Sequence, residues 1–173
     1  MRFRKELMSA APQAAISDEK RELLRHALAT LAYRGGKAIR GTPAEFADFR
    51  IAEGARTPGE ILAHMGDLLD WALSIAKGEQ KWHDSTPLPW QEEQQRFFTA
   101  LHALDDYLAS GQPLEVSTEK LFQGPIADAL THVGQIAMMR RPSGNAMKGE
   151  NYFVAEIVKG RVGAEQAAPK REF

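Results

Sequence analysis

Asp128, His132 and Gln135 follow one another at spacings of four and three residues in GPIADALTHVGQIAMMRR, Gly124 to Arg141, a run that otherwise reads as an apolar helix. No lysine or glutamate falls between Gly124 and Met139. On a wheel of ~100° per residue, Asp128, Thr131, His132 and Gln135 share one arc, and Ile, Leu, Val, Ala and Met fill most of the rest. A buried carboxylate or imidazole left unpaired costs several kcal/mol, so these groups must be satisfied by each other, by a neighbouring helix or by a metal ion. TPGEILAHMGDLLDW, residues 57–71, offers the neighbour: His64 lies at the edge of the arc of Ile61, Met65, Leu68, Ala72 and Ile75. His64, Asp128 and His132 would then supply two imidazoles and one carboxylate from facing helices, which is how bundles build metal centres. Such a set leaves coordination positions open and suits a divalent ion, Zn²⁺ or Ni²⁺ first, with Fe²⁺ and Mn²⁺ also compatible. The plainer alternative is a hydrogen-bonded boundary histidine at His64 beside a local Asp128–His132 ion pair, with Asp128 favoured by the helix dipole.

Other residues could support such a site. Gln135, one turn after His132, could orient that ligand or act behind it. Asp67, one turn after His64, is either an acceptor or base behind the site or a solvated helix residue. Tyr33 and Trp71 either line a pocket or belong to the core. Arg140 and Arg141 fall in the last turn of their helix, where cations favour exposed carbonyls. His26, His83 and His102 have no companions, and His83, in KWHDS, reads as a surface residue.

The elements that must position these groups are legible from periodicity and caps. Ser17 reads as an N-cap for a first helix from Asp18 to about Tyr33, with the stripe Leu23, Leu24, Ala27, Leu28 and Leu31, ending near Gly35 and Gly36. Thr42 to Arg50 suits one or two helical turns. A second helix starts at Pro58 behind Thr57, with Glu60 completing a capping box, and stops at Gly78. Pro89 opens a third, with the stripe Trp90, Gln94, Phe97, Leu101, Leu104 and Leu108, closed by Gly111 and Pro113. The fourth carries Asp128 and His132, with Pro125 in its first turn, and ends at Pro142 to Gly144. The tail after Asn151, broken by Gly160, Gly163 and Pro169, should pack as short turns over the bundle. Four amphipathic helices and no strand pair predict an all-α four-helix bundle with a long connection between the first two helices.

Composition narrows the function classes. The 173 residues fit one domain, taken as residues 17–173 behind a flexible leader at 1–16. Lys plus Arg (22) balance Asp plus Glu (23), so no net field favours nucleic acid or an anionic membrane. With no cysteine, disulfides, zinc–thiolate sites and a cysteine nucleophile are excluded. No secretory signal or membrane span is evident, which makes the cytoplasm the expected compartment.

TPGEILAHMGDLLDW, with its histidine, together with DALTHVGQIAMMRR, resembles the DinB-like (DinB/YfiT-like) superfamily of four-helix-bundle metalloenzymes, over most of the chain from the first helix through NYFVAEIVKGRVG. The family's second-helix histidine corresponds to His64, and its His-x-Gly-Gln signature to His132, Gly134 and Gln135. Where the commoner pattern has a histidine four residues before His132, this chain has Asp128. The resemblance implies a His-Asp-His variant of the metal site, and metal-dependent thiol transferases, isomerases and hydrolase-like enzymes acting on small molecules are the characterised relatives. It also implies a homodimer. The competing expectation is a non-catalytic bundle, a small-molecule binder or oligomeric interaction protein whose metal site is lost or weakened.

Overall fold

The computed structural model describes residues 7–173, with side chains from residue 18 onward. It is all-α: α1 (Leu7–Ile39), α2 (Pro58–Ala76), α3 (Trp90–Ala109), the single turn α4 (Thr118–Leu121) and α5 (Ala127–Arg140), with no strand among the described residues. The long helices α1, α2, α3 and α5 form the bundle. Both α1 and α2 pack on α3 and on α5, so α1 and α2 face each other along one diagonal. That diagonal explains the long first connection, since the chain must cross the end of the bundle between Arg40 and Thr57. The crossing is anchored by a 3₁₀ turn, Ala44–Asp48, whose Phe46 is buried edge-on against Trp90, with ring centroids 5.7 Å apart.

Several boundaries differ from expectation for identifiable reasons. The helix α1 is continuous from Leu7, so Ser17 lies inside it rather than at its start. The expected leader falls partly outside the described residues, which begin at residue 7. At its other end α1 runs through Gly35 and Gly36 to Ile39. A Cβ on Gly35 would meet Phe97 Cζ at 2.9 Å, so this glycine serves the close approach of α1 and α3 rather than helix termination. The turn out of α1 is made instead by Gly41, at φ +69°. Leu23, read as part of the core stripe, is exposed on the outer face of α1.

Thr57 caps α2 as expected: its Oγ1 accepts from Glu60 N at 3.2 Å, and Glu60 Oε2 accepts from Thr57 N at 2.7 Å. The helix carrying Asp128 starts earlier than its apolar pattern suggested. Ser117 caps α4, and the backbone then widens into a π turn, Phe122–Ile126, before α5. Pro125 sits inside that turn. It lacks an N–H and its ring would clash with the carbonyl four residues back in a regular helix, and widening relieves both problems. The widened turn lies directly before Asp128, so it sets the rotation at which α5 presents its polar arc.

The tail is irregular and wraps the α1 side of the bundle. Glu150, buried, accepts from Tyr33 Oη at 2.6 Å and from Lys37 Nζ at 2.6 Å, and Glu172 takes the same ammonium at 2.8 Å. Two backbone bonds, Asn151 N to Arg171 O and Phe173 N to Gly149 O, close the tail on itself. Tyr33 thus belongs to this clasp. Burial and then the Glu150 carboxylate push its phenol well above the ordinary value.

Candidate metal centre

His64 sits in the second turn of α2, and Asp128 and His132 one turn apart at the start of α5, where these two helices pack together. His132 is nearly buried, His64 partly so, and Asp128 has its carboxylate at the water edge. Asp128 Oδ1 lies 3.4 Å from His132 Nε2, and Oδ2 lies 3.7 Å from His64 Nε2. The imidazole planes are nearly perpendicular, with centroids 4.9 Å apart. One donor atom from each residue falls within 4.8 Å of the others, a group able to hold a metal ion. Both carboxylate separations exceed the ~2.7–3.2 Å of a hydrogen bond. They approach the donor–donor edge of about 3.3 Å that ~2.0–2.1 Å bonds to one tetrahedral cation require.

Protonation suits the same reading. Gln135 Oε1 lies 2.7 Å from His132 Nδ1, and a carbonyl oxygen can only accept, so Nδ1 carries the proton and donates it. Nε2 is then the nitrogen with the free lone pair, and it is the one facing Asp128. Burial first, then repulsion from the neighbouring His132 and Arg56, lowers the His64 pKa below its ordinary value despite Asp128, which favours the uncharged form that can ligate a metal. Two imidazoles and one carboxylate are ligand types that a divalent transition-metal ion accepts. The donor set and its spacing therefore fit such an ion.

An aromatic wall stands beside the triad. Trp82, from the loop after α2, meets His64 edge-on at 5.7 Å, and Trp71 meets Trp82 edge-on at 5.9 Å. Trp71 also lines a cleft of about 420 Å³ together with Gly124, Ala127, Asp128 and Thr131. A second cleft, of about 370 Å³, opens on the His64 side between residues 50–56 and 84–87. Trp82 was not singled out from the sequence. Its only signal was an aromatic residue in an otherwise polar loop, and loops carry no period from which a direction can be read.

Of the supporting residues expected from sequence, Gln135 and Trp71 lie at the triad, while Tyr33 belongs to the tail clasp. Asp67 is buried, not solvated, and is committed elsewhere: it accepts from Ser85 N at 2.9 Å, from Ser85 Oγ at 2.6 Å and from the Arg96 guanidinium. It fixes the loop that carries Trp82 to α2. Burial works to raise its pKa, but the Ser85 hydrogen bonds and Arg96 outweigh it and hold the carboxyl below its ordinary value. A group depressed in this way stabilises the fold above its unfolded pKa and loses that contribution as pH falls through the lower folded value. Asp67→Ala leaves Arg96 with Asp70 and Glu93 but strands Ser85. It should cost about 2–3 kcal/mol and lower Tm by roughly 5–10 °C at pH 7. Melting curves should show the gap to wild type closing below about pH 4, near the unfolded Asp value.

His26, His83 and His102 are exposed and join no metal-capable group among the described residues. Gly134 is also exposed, and a Cβ there would meet nothing within 4 Å, so packing does not require this glycine. No helix among the described residues is long and apolar enough to cross a membrane. No family model matches the chain, and no curated protein or solved structure is significantly similar to it.

Proposed function

We propose that this chain is a DinB-like bundle that holds a divalent metal ion through His64, Asp128 and His132 and uses it in a hydrolase- or transferase-type reaction on a small molecule. What supports the reading is one observation above the others. The Asp128 carboxylate lies between two imidazole nitrogens at distances too long for hydrogen bonds and close to those of shared coordination. The likeness of His64, His132, Gly134 and Gln135 to the family signature points the same way, and Asp128 stands as a carboxylate variant of the commoner third histidine.

Within that proposal the side chains divide the work. His132, its tautomer held by Gln135, offers Nε2 as a ligand. His64 offers a second imidazole nitrogen. Asp128 supplies the negative charge, and its half-exposed position keeps one side of the centre open to solvent and to a ligand. When bound, a divalent ion supplies Lewis acidity, making a coordinated water or thiol a better nucleophile at neutral pH, a service no cysteine of this chain can provide. A thiol cosubstrate is compatible with this centre and rests on the family likeness alone.

The test is direct. Thermal melts with and without Zn²⁺ or Ni²⁺ should show a rise in Tm that a chelator reverses. An ion at a hundred times its Kd adds about 2.7 kcal/mol. No rise with any of Zn²⁺, Ni²⁺, Fe²⁺ or Mn²⁺ would leave the bundle as a non-catalytic binder. Gln135→Ala frees Nδ1 and should weaken metal binding about 10–100-fold, the usual cost of losing the partner behind a ligating histidine. Gln135→Glu, which keeps the acceptor, should restore most of it.

A further inference from the structure

We propose that the cleft on the His64 side binds an anionic group of the substrate, a carboxylate or a phosphate-type oxyanion, through the guanidinium of Arg56. This rests on the metal reading above and adds the substrate's charge to it. One wall of the cleft is the segment from Arg50 to Arg56, the other is the loop Asp84–Pro87, and the His64 ring lies between them.

The charged side chains of this cleft are unequal in what they have left to give. Asp67 is taken by Arg96 and by both donors of Ser85, which clamps the second wall in place. Arg50 donates to Ala55 O and to Glu60 Oε1, which fixes the first wall, and Glu60 also closes the α2 capping box. Asp84 accepts from Trp82 Nε1 at 3.2 Å. Arg56 is exposed and, among the described residues, makes no ion pair or side-chain hydrogen bond. A guanidinium offers a planar fork of donors matched to a carboxylate or phosphate edge. Here the fork stands free at a cleft with preset walls whose inner surface is a ligand of the candidate centre. Once the triad carries a divalent ion, the centre gains net positive charge, so the loaded cleft favours an anion more strongly than the bare one. A substrate gripped at its anionic end by Arg56 would have the rest of its length directed past His64 towards the open side of the centre.

The probe is a set of four ligands sharing one metal-binding group. Co²⁺-loaded protein is titrated with acetohydroxamate and with the monohydroxamates of succinate, glutarate and adipate, following the visible cobalt spectrum and the Trp71 and Trp82 fluorescence. At least one carboxylated ligand should bind about tenfold or more tighter than acetohydroxamate. Arg56→Gln should bring it down to the acetohydroxamate level, and Arg56→Lys should keep part of the preference. Added inorganic phosphate or acetate should compete with the carboxylated ligand, and the stronger competitor identifies which oxyanion the cleft prefers. If cobalt binds at the triad but all four hydroxamates bind alike, or if Arg56→Gln keeps the preference, the cleft proposal is wrong and the metal reading stands. If cobalt does not bind, both are wrong.

Discussion

Replacing either Asp128 or His132 with alanine should lower affinity for Zn²⁺ or Ni²⁺ by more than about 100-fold, because each would remove one of the three proposed ligands, whereas losing a partner behind a ligand already costs 10–100-fold. The readout is competition against a chromophoric chelator, with Tm shifts as a second measure. At an ion concentration a hundred times the wild-type Kd, the stabilisation should fall from about 2.7 kcal/mol to under about 0.5 kcal/mol in either variant. Asp128→His separates the two views of this position. If aspartate is a working ligand, a histidine there keeps three donors and binding survives, with preference moving towards ions that favour imidazole. If the aspartate merely pairs with His132, both Asp128→Ala and Asp128→His leave metal behaviour as in wild type.

Arg140→Ala should cost about 3–4 kcal/mol and lower Tm by roughly 8–15 °C. Arg140 is buried near the end of α5 and has no carboxylate partner among the described residues. Its guanidinium donates instead to the backbone carbonyls of Lys37, Ala38 and Arg40 at 3.0–3.2 Å and, through Nε, to Asn145 O at 2.7 Å. Three of these acceptors are at the end of α1, where carbonyls lack intrahelical donors and the helix dipole is negative. One side chain therefore closes α1, ties it to α5 and holds the chain leaving α5. Burial lowers the Arg140 pKa, as expected for a cation paired only with dipoles. Truncation leaves the Ala38 carbonyl buried and the other three partly buried without this donor. Arg140→Lys, with three donors on a compact head, should recover only part of the loss. Denaturant or thermal unfolding would measure both, and a cost under about 1 kcal/mol for the alanine would mean that water replaces the guanidinium without difficulty.

The features legible in the sequence were those with local causes. Thr57, Pro58 and Glu60 define the start of α2 by a reciprocal cap that needs nothing from the rest of the fold. The wheel of α5 placed Asp128, His132 and Gln135 on one arc, and the structure brings His64 to the same point. Illegible features depended on distant partners. Gly35 reads as a helix end, but only the Phe97 ring on α3 gives it its role. Asp67 reads as a surface aspartate because Arg96 and Ser85 approach it from α3 and a loop. The dipole logic placed Arg140 near carbonyls, yet three of the four it takes belong to the end of α1. Pro125 was compatible with a first turn, and the helical turn before it was signalled only by the brief Ser117 cap in VSTEK.

In the proposed centre His64, Asp128 and His132 bind one ion together. Elemental analysis of protein prepared without a histidine tag, dialysed after exposure to equimolar Zn²⁺ and separately Ni²⁺, measures it most directly, with His64→Ala, Asp128→Ala and His132→Ala prepared alongside. Close to one ion per wild-type chain and well under a fifth of that in each variant is the expected result. Wild-type protein that emerges without metal, or variants that retain as much as wild type, would contradict it.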